Sequence, residues 1–103
     1  MNQNKSILIC GRLGGNPDLR YTKKQEAVCI FSLAENIEGS EKPKWHKIVV
    51  WGKQAENCNL HLKKGLRVFV QGQNQSREFK NLEGEIKQFT ELKAELVGFT
   101  LTN

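Results

Sequence analysis

Apolar and polar residues alternate along most of this chain in short runs, the period-two signature of strands, and clusters of breakers separate one run from the next. Ser6 to Leu13 is the first run, with Ile7 and Ile9, and Gly14-Gly15-Asn16-Pro17 closes it. A short extended piece, Asp18 to Thr22, and a polar turn, Lys23 to Glu26, lead to a second strand over Ala27 to Ala34. The loop Glu35 to Lys44 holds Gly39, Ser40 and Pro43, and a third strand carrying Trp45 to Trp51 follows it. Lys53 to Leu62 places Ala55, Cys58 and Leu62 at the spacing of a short amphipathic helix, which Lys63-Lys64-Gly65 is suited to end. Leu66 to Gln73 predicts a fourth strand, Ser76 to Gly84 carries a turn at Asn81 to Gly84, and Glu85 to Thr100 predicts a fifth. Glu91 to Leu96 has the composition of a helix. Its alternation is strict, however, with Leu92, Ala94 and Leu96 against Glu91, Lys93 and Glu95, and predicts a strand. The expected order is three strands, a short helix and two strands in one all-β domain, residues 1–103, free of repeats, linkers and low-complexity tracts.

The third strand carries the most chemistry. Alternation puts Trp45, Lys47, Val49 and Trp51 on one face and His46, Ile48 and Val50 on the other. One face is aromatic and cationic, the other mostly aliphatic. At about 3.3 Å per residue the indoles stand roughly 20 Å apart, far enough to stack on different bases of one extended single strand. Two indoles would equally suit the core of a buried strand. Lys47, between them, is placed as a cation that tracks a backbone would be. Phe79 stands in an otherwise polar loop stretch, which favours exposure, whereas Phe31, Phe69, Phe89 and Phe99 are expected in the core or at a contact between subunits.

The formal net charge of +5 over 103 residues favours a polyanionic partner. No apolar run approaches the ~20 residues of a transmembrane helix, and no secretory leader is visible, so no membrane role and a cytoplasmic, nucleoid-associated location are expected. The three cysteines are odd in number and widely spaced, as reduced thiols would be, and Cys10 and Cys29 are expected to be small buried residues. Cys58 and His61 have metal-like spacing but no second ligand pair, so neither metal nor cofactor is expected. Gly11 to Gly15 lacks the glycine spacing of a dinucleotide fingerprint and the Lys-Ser/Thr of a phosphate loop. Asp18 is the only aspartate, which argues against a two-metal nuclease site. No enzymatic activity is expected.

The order of elements is the connectivity of a five-stranded OB-fold barrel with one short helix between strands three and four. The chain resembles the bacterial single-stranded DNA-binding protein family in several ordered blocks. These are Asn4 to Gly14 (NKSILICGRLG), Asn16 to Tyr21 (NPDLRY), Trp45 to Lys53 (WHKIVVWGK), Leu62 to Gly65 (LKKG) and Val68 to Gln73 (VFVQGQ). The resemblance implies an OB fold, sequence-tolerant binding and protection of single-stranded DNA in replication, recombination or repair, and a homo-oligomer, a tetramer before a dimer. It implies stacking roles for Trp45, Trp51 and Phe79, and phosphate-facing roles for Arg20, Lys47, Lys53, Lys64 and Arg77. It also implies a place for His46 at the contact between subunits.

Three departures stand out against that family. Asn36-Ile37-Glu38 replaces a stacking aromatic often found after strand two, and Glu78, Glu83 and Glu85 bring acid around Phe79. The chain ends at Phe99-Thr100-Leu101-Thr102-Asn103 without an acidic tip, so recruitment of replication and repair partners through a tail is not expected. That ending suits an alternative, a primosomal accessory protein of the PriB type that binds single-stranded DNA and a partner protein. A second alternative is an OB subunit that serves a catalytic partner.

Overall fold

The computed structural model describes residues 6–99. Asn4 and Lys5 of the first family-like block, the Thr100 end of the expected last strand, and the expected absence of an acidic tip lie outside these residues. The elements are β1 Ile7–Leu13, β2 Asp18–Tyr21, β3 Ala27–Glu35, β4 Lys44–Trp51, α1 Lys53–His61, β5 Arg67–Lys80 and β6 Ile86–Phe99. β2 is the extended piece ahead of the expected second strand. It pairs with β3 from Asp18↔Ile30 to Tyr21↔Ala27, so the sheet has six strands where five were expected.

Strand order is β1-β5-β6-β4-β3-β2, and β3 also pairs with β1 at Arg12↔Ala34 and Leu13↔Leu33, so the line of strands returns on itself. All pairings are antiparallel except β4 with β6, which run parallel at Ile48↔Leu92 and Val49↔Lys93. β1, β3, β4, β5 and β6 each turn one face inward. Ile9 and Leu13, Cys29, Phe31 and Leu33, Ile48 and Val50, Val68 and Val70, and Leu92 and Ala94 make the core, joined by Ala55 and Cys58 of α1 and by Leu62. Burying each of the larger aliphatic side chains contributes about 1.5–3 kcal/mol. The sharp change of direction from β4 into α1 is made at Gly52, whose φ of 74° is unfavourable for any residue with a Cβ. Its N–H donates to Ala27 O at 2.8 Å, which fixes the root of the helix against β3.

Three expectations need correction. β5 does not end near Gln73 but continues to Lys80, because Asn74 to Lys80 pairs without interruption with Ile86 to Leu92. Leu96 does not share the inward face of Leu92 and Ala94. The register shifts between Gln71 and Gly72, so Gly72 opposes Ala94 while Gln71 opposes Leu96, and Glu95 is the extra residue of a bulge. One extra residue reverses the faces beyond it: Leu96 turns outward, 50% exposed, and Val97 packs against the core. Cys10 is exposed, since the alternation that turns Ile9 inward turns Leu8 and Cys10 outward.

Cys29 and Cys58 are buried, and loss of solvent pushes their thiols up to about 11 and about 12 respectively. The thiolate is the reactive species, so both should be inert at pH 8 in the folded chain. Mass spectrometry after a pulse of thiol reagent should show Cys29 and Cys58 modified only under denaturing conditions. Rapid modification of either in native protein would contradict this packing.

Candidate nucleic-acid interface

The outer faces of β3, β4 and β6, with the β5–β6 hairpin, form one continuous wall. Cross-strand pairing sets its rows: Arg20, Val28 and Trp51 lie side by side across β2, β3 and β4, with Ile30 beside Val49, Ser32 beside Lys47 and Ala34 beside Trp45 in the rows that follow. The alternation expected for β4 is the one observed. Ile48 and Val50 are fully buried in the core, while Trp45 is 57% exposed and Trp51 half-buried on the opposite side. Val49 is buried as well, yet it lies outside the core, covered on the outer wall by its neighbours.

Val28, Ile30 and Val49 line a groove of about 290 Å³ together with Trp51, Lys47, Arg77, Phe89 and Glu91. It is apolar at the base with cations at its rim. Lys47 Nζ lies 4.7 Å from the centre of the Phe89 ring, a cation–π distance. Phe89 in turn sits 5.8 Å from Phe79, tilted by 59°, and Phe79 is 49% exposed. Trp51, Phe89 and Phe79 thus furnish three aromatic surfaces on one side of the molecule. Phe89, expected in the core or at a contact between subunits, stands on this wall. The signal that would have found it is the hairpin register: Arg77↔Phe89 and Phe79↔Lys87 put these four side chains on one face.

Trp45 is held differently. Its ring lies against Gly14 in the turn after β1, so closely that a Cβ there would run into the six-membered ring. Arg20 shares the row of Trp51, where its guanidinium pairs with Asp18 at 3.0 Å; both partners are exposed, so the pair contributes little to stability. Lys53 opens α1 beside a second groove lined by Tyr21, Gln25 and Glu56. There the Tyr21 hydroxyl donates to Glu56 at 2.6 Å, and that bond raises the phenol above its ordinary pKa. Lys64 is exposed in the turn before β5, where its backbone N–H donates to Asn16 Oδ1 at 2.9 Å. The fold therefore gathers Trp51, Lys47, Arg77, Phe79 and Arg20 on one wall, and sets Lys53 and Lys64 apart from the groove.

His46 is half-buried, with Nε2 2.9 Å from Glu35 Oε1 of the same chain. Two of the three acids around Phe79, Glu78 and Glu85, are engaged within the hairpin. Glu78 accepts from Gln88 at 3.1 Å, and Glu85 accepts from Asn81 at 3.1 Å with Lys87 Nζ 3.7 Å away. Glu78 also points away from the Phe79 face, because successive residues alternate. Cys58 is buried while His61 stacks on Phe99 at 5.8 Å, and no group of three or more potential metal ligands gathers among the described residues. No helix among them is long and apolar enough to cross a membrane.

A small sheet wrapped around one core thus carries half-exposed aromatics interleaved with cations on its outer wall, surfaces chemically suited to stacking and to negative charge. The model of the Single-strand binding protein family matches residues 4–100, and the chain belongs to that family. The single-stranded DNA-binding protein of Neisseria meningitidis serogroup A is 42% identical over 91 residues, 82% of this chain and 52% of that protein. Single-stranded DNA-binding protein 1 of Chlorobaculum tepidum is 40% identical over 97 residues, 86% and 59% of the two chains. The single-stranded DNA-binding protein of Bacillus cereus is 39% identical over 98 residues, 90% and 58% of the two chains. The chain spans between half and three-fifths of the length of these relatives.

Because the Trp45 ring occupies the space a Cβ would take at Gly14, Gly14→Ala should push the indole off the turn. In a Trp51→Phe background, the Trp45 emission spectrum should shift on that substitution. An unchanged spectrum would mean the ring does not rest there in solution.

Proposed function

We propose that this chain binds single-stranded DNA with little regard to base sequence, coating and protecting it during replication, recombination or repair. Bases stack on Trp45, Trp51 and Phe79, and Lys47, Arg20, Arg77, Lys53 and Lys64 meet phosphates. Phe89 joins the stacking set. The observation that carries this reading is the groove in which Lys47 and Arg77 stand beside Trp51 and Phe89, since stacking surfaces alternating with cations suit a strand whose bases are unpaired. The names of the relatives point the same way. The role is one of binding, not catalysis.

The strand pairings that return from β3 to β1 support a five-stranded OB barrel, β1, β3, β4, β5 and β6, with β2 as a flanking strand and α1 between its third and fourth strands. A homo-oligomer, a tetramer before a dimer, completes the reading. It is supported by the outer face of β1, β5 and β6, where Leu8, Phe69 and Leu96 are exposed large apolar residues in adjacent register.

Homopolymeric single-stranded DNA should quench the intrinsic fluorescence, and Trp45→Ala or Trp51→Ala should each weaken binding by about 1–3 kcal/mol, the loss of one base stack. Unchanged affinity in both folded variants would remove the stacking mechanism.

Assembly has its own test. Light scattering across concentration should give a mass above that of one chain, reduced by His46→Ala and by Leu96→Asp. A monomer at every concentration would refute the oligomer.

A further inference from the structure

Glu91 is the only charged side chain that is buried among the described residues, with 4% of its surface exposed. Its place in the β6 alternation, beside Lys93 and Glu95, would send it to solvent. Instead two cations roof it over. Arg77 Nε and Gln75 Nε2 both donate to Oε1, the latter at 3.0 Å, and Lys47 Nζ lies 3.6 Å from Oε2. Lys47 and Arg77 are themselves 44% and 50% exposed, so each is fastened from below while its upper side faces the groove.

A buried carboxylate stripped of its cations is strongly unfavourable. An incoming phosphate must therefore add to this cluster, because it cannot draw both cations away from Glu91. Two cations and one carboxylate leave a net charge of +1. We propose that Glu91 is a positioning residue for backbone phosphate: it fixes Lys47 of β4 and Arg77 of β5 over the Val49 floor and cancels one of their two charges. The pair then neutralises about one phosphate where two free cations would neutralise two. The inference rests on the single-stranded DNA reading above. It makes stacking the larger part of the grip at this groove and lowers the sensitivity of that grip to salt.

The test is the salt dependence of binding to oligo(dT), read as log affinity against log salt. Glu91→Gln keeps an oxygen that accepts from Arg77 and Gln75 but carries no charge. It should steepen the slope by about 0.7, one further phosphate neutralised, and bind tighter than wild type at low salt. Adding Lys47→Met to Glu91→Gln restores the net charge of the cluster, and the slope should return to the wild-type value. A merely structural role would lower affinity at all salt concentrations with the slope unchanged, and that result overturns the proposal, as does a steeper slope that survives in the double variant. Should Glu91→Gln fail to fold by circular dichroism, Lys47→Met is compared with Lys47→Met/Glu91→Gln: the two differ only in the charge at position 91, so the slope of the double variant should be steeper by about 0.7. Equal slopes in these two folded variants would overturn the proposal. A wild-type chain that does not bind oligo(dT) at all overturns both the functional reading and this one, whereas binding with an unaltered slope in Glu91→Gln overturns this one alone.

Discussion

The two-sided character of β4 is the constraint on which the rest of the molecule rests. The strand pairs with β3 over its whole length, Lys44↔Glu35 to Trp51↔Val28, and with β6 through Ile48 and Val49. A slip of one residue would put Lys47, Val49 and Trp51 into the core and expose Ile48 and Val50, so the buried pair locks the register. Locking the register also fixes the wall. The positions of Trp45, Lys47 and Trp51 relative to Arg20, Val28 and Ile30 are consequences of core packing on the far side of the same strands.

This is why so much was legible in the sequence. Period-two alternation over Ala27–Glu35 and Lys44–Trp51 needs no tertiary information to read, and the breakers at Gly14 to Pro17 and the helical spacing of Ala55 and Cys58 are equally local. The β6 strand was legible against its own helix-forming composition, because alternation outweighs propensity once a core face is available. What was not legible depends on pairing between distant residues. The extra residue at Glu95 shows only in the match of β5 with β6, and it alone decides that Leu96 faces out. Local pattern assigns Phe89 to the core or a subunit contact and sets Glu91 on the side of β6 opposite Leu92 and Ala94. Their roles follow from which strands flank them, Arg77 and Gln75 on one side and Lys47 on the other. Cys10, expected among the small buried residues, is exposed for a simpler reason: it stands one step out of phase with Ile9.

Charge on the wall is less than the count of basic residues suggests. Arg20 is paired with Asp18, Lys87 with Glu85, and Lys47 and Arg77 share Glu91. The exposed pairs are weak and screened by salt, so they yield readily to a stronger anion. The buried carboxylate does not. The wall therefore holds two kinds of cation, one loosely tied at the surface and one anchored from beneath, and only the second has its direction set by the fold.

The pairing of β5 with β6 extends well past the last contact of β6 with β4. From Gln75↔Glu91 to the turn at Asn81 to Glu85, the backbones of the two strands pair only with each other, and Lys47 of β4 reaches across to Glu91 and Phe89 at the near end alone. A two-stranded ribbon is marginal alone in water and twists more freely than a full sheet. Phe79 and Phe89 ride on this cantilever, whereas Trp51 stands on a strand paired on both edges. The aromatic surfaces thus fall along a gradient of stiffness, anchored at one end and compliant at the other. A chain with uneven spacing between its own rings can settle on such a surface without every contact having to fit at once.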